Sequence, residues 1–367
     1  MRRIVHYYPE ALGNSGVTFA LWAWARAQLV AGYEVAVLHG DAATRHTGPE
    51  FVSKAESPGL TIEQVAHRGR HRLVRHPLAL ERHLGRRDLL VLHEGWVFSN
   101  VAAAKAARRA GVPYVVMPHG VYDPAWTPYL KPPRWLRNRL ERHVLEGAAA
   151  VHLFFESEVP SVARLAPGAS MLLAPTGYEV PSERWSGEGG YLAWLGRVDP
   201  FNKGLDVLVG AIGLLPPERR PQLRVHGYDY KGGIDRLQRL VAERRMEPWV
   251  QIGPPLAGRD KLTFLQRASA YVLPSRWECH SIALLENLAL GVPCVVSSVI
   301  HIASELRSAG AAILAPPSEE PLARALLQIS GEGDGLGARG RAFVADRLAW
   351  PVVMARYDSE LARLGLD

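Results

Sequence analysis

Short apolar runs alternate with helical patterns from one end of the chain to the other. In the first half, "RIVHYY", "EVAVLH", "DLLVLHE", "PYVVMPH", "AVHLFF" and "SMLLAP" are short and rich in apolar and β-branched residues, which predicts strands. Between them lie helical patterns such as "VTFALWAWARAQLVAG" (17–32) and "SNVAAAKAARRAG" (99–111), each closed by glycine. The second half repeats the alternation with "YLAWLG", "LRVHG", "WVQIG", "AYVLPS", "PCVVSS" and "AAILAP". Strands that follow helices in this rhythm predict parallel sheets covered on both faces, an α/β fold.

The alternation breaks once. "TGYEVPSERWSGEGG" (176–190) is polar, contains Gly and Pro and lacks periodicity. The expected organisation is therefore a first domain over 1–177, a linker over 178–190 and a second domain over 191–349. The last stretch, "WPVVMARYDSELARLGL", predicts an amphipathic helix over 350–367 that crosses back to the first domain. The expected architecture is two doubly wound, Rossmann-like domains facing each other across a cleft. Two domains also suit a length of 367 residues, which exceeds what one core usually supports.

Hydrophobic residues at 48% and charged residues at 22% describe an ordinary globular protein. Cys279 and Cys294 make no disulfide framework, and no apolar span approaches transmembrane length, so a cytoplasmic protein is expected. Charge changes the picture more. Residues 1–180 hold 21 basic and 15 acidic residues, and the window 68–142 alone holds 15 basic and 5 acidic. Such a cluster suggests an anionic partner, whether nucleic acid, phospholipid or a phosphorylated acceptor; a solvated face is the plainer explanation. In "PPRWLRNRLERHVLEG", Leu136, Leu140 and Val144 form a stripe beside Arg134, Arg137, Arg139 and Arg142, with Trp135 at the start. That stripe either lies on a membrane surface or packs on the first sheet.

Candidate chemistry gathers at strand ends. "WECHSIALLENLALGVPC" carries Glu278 and Glu286 eight residues apart, a little over two helical turns. "SAYVLPS" before it reads as a buried strand. Glu278 then sits in a turn at the strand's carboxyl end, where open α/β sheets bind ligands, and Glu286 lies in a helix stopped by Gly291 and Pro293. The alternative for Glu278 is a carboxylate that complements the helix dipole. "GRVDPFNKGLDVLVGA" places Arg197 at a strand end and Lys203 just before a helix, a place for a diphosphate or else two exposed cations.

"YYPEALGNSGVTFALWAW", followed by Asp41 after the second strand, imitates a dinucleotide fingerprint. The spacing of Gly13 and Gly16 is wrong and no third glycine enters the helix, which argues against a dehydrogenase. A backbone edge open to a ligand's phosphate or sugar fits better. "VVMPHGVYDP" puts His119 directly after a strand, with His93 in "VLHEGW" competing at a similar strand end. No CxxC, HExxH, GxSxG or Asp-x-Asp pattern supports zinc, serine-hydrolase or metal–nucleotide chemistry.

These pieces, in this order and over nearly the whole chain, resemble the GT-B retaining glycosyltransferases of the family 4 type. Glu278 and Glu286 match that family's paired glutamates, and Arg197 and Lys203 match its diphosphate-binding pair. His119 matches its active-site histidine, and Gly16 matches the glycine loop facing the donor phosphate. The resemblance implies a nucleotide-diphosphate hexose donor, more a UDP-sugar than GDP-mannose, with no metal and no cofactor. It assigns the sugar hydroxyls to Glu278 and the ribose to Glu286. The amides near Ser281, Ile282 and Ala283 would face the diphosphate. It further implies front-face displacement. The basic window, for its part, suggests an acceptor that is anionic or presented on an anionic membrane at the cytoplasmic face, and with no recognised binding motif the paired glutamates argue against nucleic acid. A nucleotide-sugar hydrolase or epimerase with the same donor site is the rival. Two departures stand out: Cys279, His280 and Ser281 replace the usual Gly-Phe-Gly, and Thr176-Gly177 replaces Asn-Gly.

Overall fold

The computed structural model describes residues 3–13, 15–40, 59–69, 75–125 and 134–367. Asp41, residues 70–74 and 126–133 of the basic window and the side chain of Arg134 lie outside the described parts. The chain divides into two compact units, Met1–Gly177 with Trp350–Asp367, and Tyr178–Ala349.

The first unit is built on a seven-stranded parallel sheet. Its strands are β1 (Arg3–Tyr7), β2 (Glu34–His39), β3 (Leu60–Gln64), β6 (Asp88–His93), β7 (Tyr114–Met117), β8 (Ala150–Leu153) and β9 (Met171–Leu173). Between β3 and β6, the short strands β4 (His67–Arg68) and β5 (His76–Pro77) form a separate antiparallel ladder. The sheet order is β3-β2-β1-β6-β7-β8-β9, so the direction of winding reverses between β1 and β6. Strands β6, β7 and β8 are buried at every residue because helices cover both faces. One side of the sheet packs Val5, Leu90, Val116 and Val151, and the other Leu21, Trp22, Val35 and Val37.

β3 is a strand that apolar runs alone do not reveal. "LTIEQ" is an edge strand, partly exposed along its length, so its polar positions are tolerated there. Helix Gly16–Val30 starts at Ser15, whose hydroxyl accepts the Thr18 amide at 3.1 Å, and helix Phe98–Ala110 ends on Gly111 at φ 66°. Helix Trp350–Arg363 joins this unit through Trp24, whose ring lies 5.3 Å from Trp350 and 5.1 Å from Tyr357. Tyr33 also donates to Asp358 at 2.6 Å.

The second unit holds a six-stranded parallel sheet of β10 (Tyr191–Val198), β11 (Gln222–Asp229), β12 (Val250–Gly253), β13 (Ala270–Leu273), β14 (Cys294–Ser297) and β15 (Ile313–Ala315). Their order, β12-β11-β10-β13-β14-β15, reverses between β10 and β13. Its core includes Trp194, Leu208, Val225, Val272 and Val295.

The segment 178–190, expected as a linker, is fastened to this unit by hydrogen bonds. Trp185 donates its backbone amide to Leu290 O at 2.9 Å and its indole to Ala268 O at 2.6 Å, while Arg341 donates to Pro181 O at 2.5 Å. Its backbone groups find fixed partners without forming a periodic element, which is why periodicity missed the attachment.

Helix Glu319–Phe343 runs through glycines 331, 333, 335, 337 and 340, each costing a helix interior about 1 kcal/mol. Close packing explains two of them. A Cβ at Gly337 would collide with Gly291 O, and one at Gly340 would stand 2.9 Å from Leu288 Cδ2. This contact backs the helix that carries Glu286.

Candidate active site

In the second unit the loops that leave β10 and β13 meet at the reversal of strand order. Gly204, at φ 66°, ends the first loop and caps helix Leu205–Leu214. A side chain there would collide with Pro274 O, so the loop of Lys203 rests directly on the loop of Glu278. Arg276 fastens the two. It donates to both oxygens of Asp206, at 2.7 and 2.8 Å, and to Phe201 O, and its guanidinium covers the Phe201 ring at 4.2 Å. The Arg276 amide also donates to Asn202 O at 2.9 Å.

Lys203 and Glu278 form an ion pair, both largely buried, and the Ser275 hydroxyl donates to the same carboxylate oxygen at 3.4 Å. Glu278 lies upstream of helix Ile282–Leu290, which starts at Ser281, so it is a loop residue and no part of the helix. Ser281 Oγ accepts the Leu284 amide at 3.3 Å. The first-turn amides of Ile282 and Ala283 have no intrahelical acceptor by position, which makes this end attractive to an anion.

Glu286 is held apart from that pair. Lys261, on helix Gly258–Arg267, donates to it at 2.5 Å. The Tyr178 phenol neighbours the same carboxylate, and its pKa is pushed up first by burial and then by the Glu286 charge, so it keeps its proton. Arg197, at the end of β10, stacks its guanidinium 4.2 Å from the Tyr230 ring. Among the described residues Arg197 makes no ion pair, and its buried Nε has no hydrogen-bond partner. An orphaned buried donor on a cation, at a switch point, suits a phosphate oxygen.

The two remaining candidates belong to the first unit. Gly16 opens helix Gly16–Val30, and a Cβ there would meet nothing within 4 Å, so no neighbour demands a glycine. His119 follows β7 at φ 55° in the left-handed region. Glu94 at φ 66° and Trp96 at φ 61° follow β6 in the same strained conformation. Asn100 pins that turn by donating to His93 O at 3.2 Å and Glu94 O at 2.7 Å.

His93 is no competitor of His119 but its partner. His93 Nδ1 and His119 Nε2 lie 2.9 Å apart, and the rings stack at 5.2 Å. His93 Nε2 reaches His6 Nδ1 at 2.8 Å. Burial holds the His6 pKa down at about 4 and that of His93 well below the usual imidazole value, the latter helped by neighbouring histidines.

In the basic helix Arg134–Glu146 the expected stripe divides. Val144 is buried, Leu140 is half-buried and Leu136 is exposed beside an exposed Trp135. Asp206 lies within the stretch that carries Arg197 and Lys203 without a role of its own there, and Arg276, Lys261 and Tyr178 stand outside the site motifs. Each is brought in by packing from a different element, with no spacing to signal it.

Two parallel sheets of order 3-2-1-4-5-6, with the extra strand on the first, are the Rossmann-like halves of a GT-B fold. The profile described as Glycosyl transferases group 1 matches residues 189–332, and the Glycosyl transferase 4-like domain matches residues 15–177. The chain belongs to the group 1 glycosyltransferase family. A D-inositol 3-phosphate glycosyltransferase of Frankia alni is 28% identical over 238 residues, 57% of either chain, so the match spans little more than half that relative's length. The GDP-mannose:cellobiosyl-diphosphopolyprenol alpha-mannosyltransferase of Xanthomonas campestris is 25% identical over 82% of this chain and 80% of its own. The crystal structure of Anabaena HepE in complex with UDP and glucose superposes with a TM-score of 0.78 over 99% of this chain and 100% of its own, at 15% identity.

The clamp between the two loops carries a prediction. Asp206→Ala should cost about 1 kcal/mol of stability, since the pair is partly solvated, read by thermal unfolding. Turnover should fall further, by as much as ~10²-fold, because Lys203 loses its fixed position. A turnover loss no greater than the stability loss would reduce the clamp to scaffolding.

Proposed function

We propose that the protein is a retaining glycosyltransferase that moves a hexosyl group from a UDP-sugar to an acceptor hydroxyl without a metal ion. The observation that carries this reading is the arrangement of the second unit. Two carboxylates are each engaged by a lysine, and an uncompensated arginine stands at the same sheet's switch point. Carboxylates suit hydroxyl donors of a sugar and a ribose, and Arg197 with Lys203 suits a diphosphate. The Anabaena structure with UDP and glucose supports the fold's fitness for such a donor, and the Xanthomonas relative's name supports nucleotide-sugar transfer with another base.

In this reading the bond between the anomeric carbon and the β-phosphate oxygen breaks while the acceptor oxygen bonds the same face. The acceptor proton passes to the leaving phosphate oxygen. Arg197 and Lys203 neutralise the charge that grows there, an interaction strongest in the transition state. Arg197→Ala and Lys203→Ala should each lower kcat by about 10²–10³-fold, the usual loss for one such stabiliser. Wild-type turnover at saturating donor in both variants would remove the assignment. Donor consumed at full rate with no acceptor would favour a hydrolase.

The carboxylates should separate by ligand. Glu286→Gln should weaken binding of free UDP, because a ribose contact persists whatever sugar is attached. Glu278→Gln should spare UDP affinity and impair transfer. Calorimetry with UDP and GDP reads both effects, and equal losses in the two variants would contradict the division.

The acceptor we propose is anionic or presented on an anionic surface, on the exposed Trp135 and Leu136 beside the arginines of the same helix. Co-sedimentation with anionic vesicles should exceed that with neutral ones and weaken with salt, at about 1 kcal/mol per basic residue engaged. Binding indifferent to lipid charge would leave a soluble acceptor.

A further inference from the structure

Lys203 and Lys261 are each held by a carboxylate, whereas Arg197 is held by an aromatic ring. Its guanidinium carbon lies 4.2 Å from the centre of the Tyr230 ring, and among the described residues no carboxylate pairs with it. The loop after β11 leaves that ring little choice of neighbour. β10 and β11 pair Gly196 with Gly227 and Val198 with Asp229, so the residues on either side of Arg197 lie beside the start of this loop. A Cβ at Gly227 would collide with Gly196 O, and one at Gly233 with Val198 O. The two glycines thus press the loop onto the backbone on both sides of Arg197, and Tyr230 lies between them in the chain.

The loop holds its own shape without Arg197. Asp229 accepts the amides of Ile234 and Gly232, each at 2.9 Å, and these bonds keep its carboxyl pKa below the usual value. Lys231 at φ 53° and Gly232 at φ 74° turn the chain in the left-handed region, and the Gly233 amide closes the turn on Tyr230 O at 3.0 Å. The acid that the strand register brings beside Arg197 is therefore engaged by its own loop, and the ring takes the guanidinium instead. The Lys231 ammonium lies 5.0 Å from the same ring, but its side chain is exposed and its charge is screened by water. The two ways of holding a cation differ in what they leave over. A carboxylate takes N–H donors at the guanidinium edge and cancels its charge. An aromatic ring meets the flat face and leaves the in-plane donors and the charge in place. The buried Nε of Arg197 correspondingly has no hydrogen-bond partner.

We propose that Tyr230 is a positioning residue for Arg197, holding the guanidinium by its face so that its edge stays open to a phosphate oxygen of the nucleotide. That the anion belongs to a sugar nucleotide rests on the glycosyltransferase reading; the hold on Arg197 does not. Only the ring is needed for this, so phenylalanine should serve as well as tyrosine. Leucine fills part of the space but offers no π face. Without the ring, the Arg197 side chain regains rotamers that binding must then freeze out, so the loss appears as weaker anion binding and slower transfer.

The test uses the full chain with 15N-labelled arginine, and Arg197→Lys assigns the Nε–Hε signal of Arg197. We expect the ring to shift that signal upfield in the wild type and in Tyr230→Phe, and the shift to vanish in Tyr230→Leu. An unshifted wild-type signal overturns the proposal. Calorimetry with UDP and with inorganic pyrophosphate should give wild-type affinity for Tyr230→Phe and roughly three- to tenfold weaker binding for Tyr230→Leu, within the usual worth of one cation–π contact, with kcat lowered by a similar factor. In an Arg197→Ala background, Tyr230→Leu should change nothing further. Undiminished binding by Tyr230→Leu overturns the proposal, as does binding of neither anion to the wild type. An equal loss with Arg197 absent also overturns it, because the ring would then meet the ligand directly. If anion binding follows the ring as expected but no sugar is transferred to any acceptor, the glycosyltransferase reading fails and the placement of Arg197 survives.

Discussion

The ion pair between Lys203 and Glu278 joins two loops that leave adjacent parallel strands at the one place where their helices turn to opposite faces. Parallel strands diverge into separate crossovers there, so nothing in the sheet's hydrogen bonding holds the loops together. The pair does so with side chains, and both partners are mostly removed from water. Burying two charges is costly unless the geometry around them is fixed. The fixing comes from Gly204 against Pro274 and from the fork of Arg276 on Asp206. The site thus depends on close backbone approach first and on charge second.

The helix of Glu286 is located by a different constraint. Its far side meets the glycines of Glu319–Phe343, where Gly337 and Gly340 let backbone lie against Gly291 and Leu288. Trp185, hydrogen-bonded to Leu290 O, closes the same end. Glu286 is therefore placed by packing remote from it, and Lys261 holds its carboxylate once it is there, with the Tyr178 phenol beside it. Each of the two carboxylates has its own lysine, so they can take different partners without competing.

Much of the fold was legible because fully buried parallel strands read as continuous apolar runs. All twelve runs singled out in the sequence coincide with strands of the two sheets. The exception, β3, lies at an edge with polar residues, where that signal vanishes. The attachment of 178–190 was hidden because it is made by irregular backbone. In the candidate site, the places of Glu278, Lys203 and Arg197 at strand ends were legible in the sequence. Arg276, Asp206, Lys261 and Tyr178 were not, since their meaning lies in a contact between elements distant in sequence. His6 looked like one more residue of a buried strand, and only the paired ends of β1, β6 and β7 disclose its link to His119.

The charges of the second unit can be followed one step further under the proposed donor. Lys203 with Glu278, and Lys261 with Glu286, are each neutral as pairs, which leaves the positive charge of Arg197 as the local excess. A diphosphate carries more negative charge than Arg197 offers, so Lys203 must share itself between phosphate and Glu278. Any weakening of that ion pair leaves a buried carboxylate in need of donors. The hydroxyls of a hexose are donors of the right kind, and free nucleotide lacks them. A complete donor therefore replaces what its own phosphates withdraw, whereas the nucleotide alone leaves Glu278 poorly satisfied. That asymmetry favours the intact sugar nucleotide at the Lys203–Glu278 end and leaves the Glu286 end indifferent to which sugar is attached.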